Sequence, residues 1–249
     1  MSGLDPNVLQ HGTKLVMTET LDAMLVLAPF MLEDRFIVAL DGPPGCGKTT
    51  ALTTFLQRRS DERFPITLNP GSSDKDVVRQ LYDAVVRRTV ASNVRRVDLL
   101  AELRTSLASR ECLVVIDEAQ NASNSALEMI RHLHMDPLAR WHLVIAGVGL
   151  QERLAREEKL ASRVGHWALF RPLAGDELLS VLKQLHPVLA DADEDTLLAV
   201  DQVACRGILR QWVKLTSLLR RLTNGQTPTR DNFQAAIAGI TGSKVTLPR

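Results

Sequence analysis

Aromatic residues are scarce in this chain of 249 residues: six Phe, three Trp and one Tyr make up 4% of it. So thin a supply argues against a surface that stacks successive bases of a single strand. Cysteine is rarer still. Cys46, Cys112 and Cys205 are odd in number, widely spaced and form no C-x-x-C pair. That excludes a disulfide framework or a zinc site of paired thiolates, and points to a reducing, cytoplasmic setting. Net charge is nearly absent at +1, so no whole-molecule field draws the protein to nucleic acid or membrane, and such binding needs a local patch. Long hydrophobic runs are missing too. The most apolar stretch, residues 23–32, is half the length of a spanning helix and lies too deep for a signal peptide; it reads as buried helix. There is no internal repeat and no low-complexity tract.

What is there is a globular composition, with 45% hydrophobic and 24% charged residues. The length can bury one large α/β domain, or a core with a smaller companion, but not two full catalytic domains. Short apolar runs at 36–40, 66–69, 112–116, 142–146 and 167–170 alternate with helix-period stretches. This is the pattern of an α/β protein with a five-stranded parallel sheet and helices on both faces. After Pro172 the strands stop. Helical patterns at 175–185, 194–204, 208–222 and 230–240, broken at Pro187, Gly207 and Asn224-Gly225, predict a small all-helical domain. The expected division is an α/β core over 1–172 with an N-terminal helical segment, a helical lid over 173–242 and a flexible tail over 243–249.

Gly42-Pro43-Pro44-Gly45-Cys46-Gly47-Lys48-Thr49 satisfies G-x-x-x-x-G-K-[ST]. The apolar run before it and the helix-compatible run 50–58 after it supply the context of a phosphate-binding loop. Backbone N–H groups reach a phosphate where side chains are lacking, as at Gly45 and Gly47, and a helix N-terminus favours the anion. Gly42, Pro43, Pro44, Gly45, Cys46, Gly47, Lys48, Thr49 and Thr50 are the candidate nucleotide-binding residues, Cys46 being a spacer that contributes its N–H. Lys48 brings positive charge to the β and γ phosphates of ATP, Thr49 offers a hydroxyl to Mg2+, and Thr50 begins the helix with no metal role. Further on, Leu113-Val114-Val115-Ile116-Asp117-Glu118 is a buried β run ending in two carboxylates. Asp117 suits the Mg2+ shell opposite Thr49, and Glu118 suits the orientation or deprotonation of the attacking water. Alone, the pair reads equally as a solvated turn; the phosphate loop upstream favours the chemistry. Asp117-Glu118-Ala119-Gln120 also matches the second motif of DEAD-box helicases, but residues 173–249 lack the strands for the second RecA-like domain those enzymes need.

This layout resembles the AAA+ ATPases over nearly the whole chain. The resemblance implies that Arg163, in Leu160-Ala161-Ser162-Arg163-Val164-Gly165, reaches the neighbouring subunit's γ-phosphate, where a permanently charged planar donor set serves a developing anion. Arg153 and Arg156 compete for that role, and a plain surface arginine is the other reading of Arg163. The resemblance also makes Arg210, in Gly207-Ile208-Leu209-Arg210, a nucleotide sensor on the lid, and puts adenine contacts at 15–18. Arg210, Lys214 and Arg221 share one helical face opposite Leu209, Trp212 and Leu219, which a solvated basic face explains as well. One departure stands out. The fourth strand ends Ile145-Ala146-Gly147-Val148-Gly149, with no polar first sensor, which implies slow or partner-dependent hydrolysis.

Within the AAA+ group, residues 115–172 resemble the MuB/TnsC-type ATPases that assist DNA transposition. The resemblance is carried by Ile116-Asp117-Glu118-Ala119-Gln120-Asn121, Ala126-Leu127-Glu128-Met129-Ile130-Arg131-His132-Leu133-His134, Leu143-Val144-Ile145-Ala146-Gly147 and Ala161-Ser162-Arg163-Val164-Gly165. It implies an ATP-dependent, non-specific binder of duplex DNA that self-associates into filaments or rings and stimulates a transposase. ATPases of secretion, phage and defence systems that act on protein partners share the same run and form the alternative, and a nucleotide-locked scaffold without turnover is a third. The residues add support of their own. Between Arg79 and Arg110 lie seven arginines against the three acids Asp83, Asp98 and Glu102, a local +4. Arg87, Arg88, Arg95, Arg96 and Arg104 are the candidate phosphate contacts, with a solvated helix face as the competing reading.

Overall fold

The computed structural model describes residues 13–87, 94–108 and 110–248. Among these residues five strands form one all-parallel sheet: β1 (Ile37–Asp41), β2 (Glu62–Thr67), β3 (Cys112–Asp117), β4 (His142–Gly147) and β5 (Val164–Leu169), in the order β2-β3-β4-β1-β5. The central strands β3, β4 and β1 are buried almost throughout, which their unbroken Val, Ile and Leu runs require of strands covered on both faces. The edges differ from expectation. β2 was expected at 66–69 but runs over 62–67, because only Phe64 and Ile66 point inward while Glu62, Arg63, Pro65 and Thr67 are exposed. A strand at the rim has one partner, so it needs no continuous apolar run and tolerates Pro65. β5 starts three residues earlier than the run 167–170 suggested, with a register slip at Gly165 between Ile37↔Val164 and Val38↔His166.

Among the described residues seven α-helices accompany the sheet: α1 (Glu19–Glu33), α2 (Lys48–Gln57), α3 (Asp74–Val86), α4 (Arg96–Ala108), α5 (Asn124–His134) and the short α6 (Leu150–Leu154) and α7 (Glu158–Ala161). Leu81, Leu103 and Leu127, from α3, α4 and α5, join Ile37, Ala39, Val114, Ile116 and Ile145 in one core, while the alternate residues Val38, Leu40, Leu113, Val115 and Val144 are buried on the other side. α1 corrects the expectation of a wholly buried helix at 23–32. It buries Met24, Ala28 and Leu32 but leaves Val26 and Phe30 more than half exposed, at 54% and 58%. No helix among the described residues is long and apolar enough to cross a membrane.

By packing, Ala23–Gly42 and Lys48–Leu169 form one unit, and Pro43–Gly47 group with a second that takes in the described residues up to Asp22 and the chain from Phe170 onward. The second unit is helical: α8 (Gly175–Leu185), α9 (Pro187–Ala190), α10 (Glu194–Val200), α11 (Leu209–Leu222) and α12 (Arg230–Thr241) surround Trp212, Phe233, Leu182 and Leu197. The helix expected to reach 204 gives way at 201 to a wide turn, Asp201–Cys205. The Asp201 carboxylate accounts for this by accepting from the Gly207 N–H at 2.7 Å and the Trp212 indole at 2.8 Å. The stretch expected as a loose tail also differs. Val245 and Leu247 pack on the helical core, Leu247 being buried, because an apolar pair at the chain end finds an apolar surface beside it.

Candidate active site

Strand register gathers the functional ends. Asp41 pairs with Gly147 across β1 and β4, and Thr67 with Asp117 across β2 and β3, so Asp41, Asp117 and Gly147 all finish strands at the carboxyl edge of the sheet. Ligands of open α/β sheets bind outside that edge. Gly42 leaves β1 there and Lys48 opens α2. The Lys48 ammonium folds back to donate to the Gly42 carbonyl at 2.6 Å, which holds a positive charge at the mouth of the loop. Gly45, at φ 86°, lies where L side chains are strained. A Cβ there would also stand 2.9 Å from the Cβ of Arg210 and from Cγ2 of Ile208, and the Gly45 carbonyl accepts the Arg210 N–H at 3.1 Å. Close approach thus dictates this glycine. Cys46 is buried, in keeping with a spacer, and Thr50 lies within the first turn of α2.

The second element of the site is the strand tip. Thr49 Oγ1 donates to Asp117 Oδ2 at 3.3 Å across 68 residues of sequence. Burial pushes the Asp117 carboxyl above the usual carboxylate range; the Glu118 charge adds to this, while the Glu118 N–H, the Thr49 hydroxyl and Lys48 oppose it. Two hard oxygens one hydrogen bond apart, one of them a carboxylate whose charge lacks solvation, fit Mg2+, which takes such ligands along with waters and phosphate oxygens. Thr49 and Asp117 would hold it. Glu118, the next residue, turns out of the strand at φ 54° and its carboxylate accepts from the Gln120 side-chain amide.

Three further residues hold the site together, of which Asp41 carried no signal in the sequence and Gln120 and Arg153 stood there in other roles. Asp41 is a buried carboxylate whose oxygens accept the Gly42 N–H at 2.7 Å and the Gln151 N–H at 2.8 Å, fixing the start of the loop. Gln120 joins Glu118 to the tip of β4, its Oε1 accepting the Val148 N–H at 3.1 Å. Arg153 donates to the carbonyls of Gln120 and Ala122, and to Asn124 Oδ1 at 3.3 Å. Arg153 is thereby engaged within its own turn. The sequence signal for Gln120 is its place at the end of Asp117-Glu118-Ala119-Gln120, two residues after Glu118, in a chain whose β4 tip has no polar side chain.

Arg163 is exposed just before β5, its carbonyl accepting the Ile37 N–H at 2.8 Å, and among the described residues it pairs with no carboxylate. Arg156 is exposed in the preceding turn. In the helical unit Arg210, Lys214 and Arg221 are exposed, with Trp212 and Leu219 buried beneath them. Residues 15–18 form an irregular strap on the same unit. The Lys14 N–H donates to the Leu185 carbonyl at 2.8 Å, Val16 packs on the helical core, and Thr18 caps α1.

The arginine-rich segment looks different in three dimensions. Arg88 lies outside the described residues. Arg87 pairs with Glu62 at 3.0 Å, Arg95 with Asp98 at 2.9 Å, Arg96 with Asp74 and Arg104 with Asp136. Three of these four carboxylates come from outside the 79–110 window, so the fold neutralises much of an excess that a linear count shows as +4.

Residues 32–154 match the AAA domain family; no curated protein matches the chain. Among solved structures, Cdc6p from Pyrobaculum aerophilum is similar with a TM-score of 0.71 and 17% identity, over 93% of this chain and 70% of that one. The Aeropyrum pernix ORC1 protein in complex with DNA gives 0.64 and 17%, over 90% and 66%. The ORC2 protein of the same organism, in ADPNP and ADP complexes, gives 0.65 and 13%, over 96% and 71%. The chain therefore has the AAA+ fold and spans about two thirds of the length of these structures.

Proposed function

We propose that this protein is a Mg2+-dependent ATPase that binds duplex DNA without sequence preference, self-associates on it and regulates transposition by engaging a transposase. The observation that carries the ATPase reading is the Thr49–Asp117 contact at 3.3 Å beside a loop closed by Lys48. In this reading residues 42–50 cradle the phosphates, and Lys48 exchanges the Gly42 carbonyl for the β and γ phosphate oxygens. Thr49 and Asp117 would hold Mg2+, which would supply charge neutralisation at the γ-phosphate. Glu118 takes the proton of the attacking water, while Arg210 from its own chain and Arg163 from a neighbour's stabilise the departing charge. The DNA part rests on the local arginine excess and on similarity to a structure solved with DNA. The transposition part rests on the MuB/TnsC-like run 115–172.

Phosphate release measured with and without duplex tests the proposal. Expected is slow Mg2+-dependent turnover raised by DNA, with Glu118→Gln abolishing release while leaving ATP bound. No ATP binding in the presence of Mg2+ would remove the whole reading; turnover without any nucleotide-dependent gel shift of duplex would remove its DNA part. One observation favours a second reading, an ATPase that acts on protein partners in secretion, phage or defence systems. Arg87, Arg95, Arg96 and Arg104 already sit on carboxylates, and a surface of interleaved charges suits a protein partner as well as a phosphate backbone.

A further inference from the structure

Gln120 stands at a junction that nothing in the phosphate chemistry requires of a turn residue. Its carboxamide spans two groups of opposite character: the Val148 N–H just past the end of β4, and the Glu118 carboxylate. A backbone N–H can only donate, so Oε1 must face Val148, and Nε2 is then the atom left to donate to Glu118. One orientation of the amide satisfies both partners and the reverse satisfies neither.

The surroundings hold that orientation. The Asn121 N–H donates to the Glu118 carbonyl at 2.9 Å and the Ala122 N–H to the Ala119 carbonyl at 3.1 Å, closing the turn. Arg153 grips the carbonyls of Gln120 and Ala122, and Asn121 Nδ2 ties the turn to the Leu68 carbonyl at 2.9 Å. On the other side, a Cβ on Gly147 would stand 2.3 Å from Gln120 Oε1. The room that a side chain at the end of β4 would fill is taken first by the Gln120 amide, with Leu150 Cγ and Cδ1 next at 3.0 and 3.1 Å.

We propose that Gln120 is the positioning residue for Glu118, supplying from the turn after β3 the polar group that the tip of β4 lacks. By donating to one carboxylate oxygen it fixes the rotamer of Glu118 and aims the second oxygen at the water whose proton is taken. This rests on the ATPase reading. Gln120 itself touches no reacting atom in the scheme; it acts through Glu118.

The test uses the full chain and three variants. Gln120→Ala should lower kcat for ATP about ten- to hundredfold, a share of what a general base contributes, with KM and ATP affinity unchanged. Gly147→Ala alters neither Glu118 nor Gln120 chemically, but its methyl group displaces the amide, so it should lower kcat similarly. In the double variant there is no amide left to displace and only Leu150 has to give by a few tenths of an ångström, so kcat should stay close to that of Gln120→Ala and well above the product of the two losses. A merely structural role predicts additive losses and altered ATP affinity. The proposal is overturned if Gln120→Ala leaves kcat unchanged, if it raises kcat as release of a restraint would, or if the double variant shows the product of the two losses. A wild-type protein that binds ATP but shows no turnover sensitive to Glu118→Gln overturns the ATPase reading and this inference together. Loss at Glu118 with indifference at Gln120 overturns this inference alone.

Discussion

His134 ends α5 inside the core of the first unit, with the Trp141 ring edge-on at 5.0 Å and neither ring nitrogen partnered among the described residues. Burial pushes its pKa down from 6.5 to about 4, and the positive fields of Arg35, His142 and Arg163 push the same way. The sign follows from proton counting. Between pH 6.5 and about 4 the unfolded chain binds a proton at this site that the folded chain refuses, so stability is full above 6.5 and declines as pH falls through this window. The total is on the order of 3 kcal/mol. His134→Phe keeps the edge contact and removes the proton site. Urea unfolding at pH 7, 5.5 and 4.5 should therefore show a flatter acid limb for the variant than for the wild type, and parallel limbs would rule out His134 as the source. The residue lies in the helical run 126–134 on which the proposed transposition role draws, yet its environment is that of a core aromatic. Its burial is set by Trp141, which reaches back over the turn between α5 and β4, a contact that the helical spacing of 124–134 does not show.

Elements show the same division between what local pattern specifies and what distant partners decide. The central strands were legible because burial on both faces demands an unbroken apolar run, and the loop at 42–49 was legible because its spacing is the chemistry. The edge strand β2, the wide turn at 201–205 and the packed tail were not, since each is set by a partner remote in sequence: β3, the Trp212 indole and the helical core. The arginines around α4 are the instructive case. Arg95 caps the approach to that helix beside Asp98, and Arg96 opens it against Asp74, pairs that a charge count over 79–110 credits only in part. Exposed ion pairs exchange readily for phosphate oxygens, so the pairing does not forbid DNA contact. It makes the prediction sharper. Replacing both Arg95 and Arg96 by Ala should weaken duplex binding equally on unrelated sequences and reduce the slope of log affinity against log salt by about 2, one counterion for each lost contact. An unchanged slope in a salt-titrated binding assay would assign the backbone contacts to another surface.

At the scale of the whole molecule, the proposal divides each catalytic centre between two copies. Glu118 sits at the strand tip with Thr49 and Asp117 close by, whereas Arg163 is exposed before β5 and pairs with no carboxylate among the described residues. If Arg163 serves the next copy, the contact is heterologous, one face of each subunit meeting a different face of its neighbour. Mixing then has an arithmetic signature. Arg163→Ala retains its own Glu118 but offers no arginine, and Glu118→Gln offers an arginine but has no base. Each alone should be nearly inactive. In an equal mixture that exchanges subunits, a centre works when a chain with an intact Glu118 lies against one with an intact Arg163, which random assembly provides in about a quarter of cases. ATPase activity near a quarter of wild type, appearing only on mixing and only at concentrations that favour association, is the expected outcome. Mixtures as inactive as their components, under conditions where light scattering shows assembly, would confine Arg163 to its own chain and leave the site without a contribution from the neighbour.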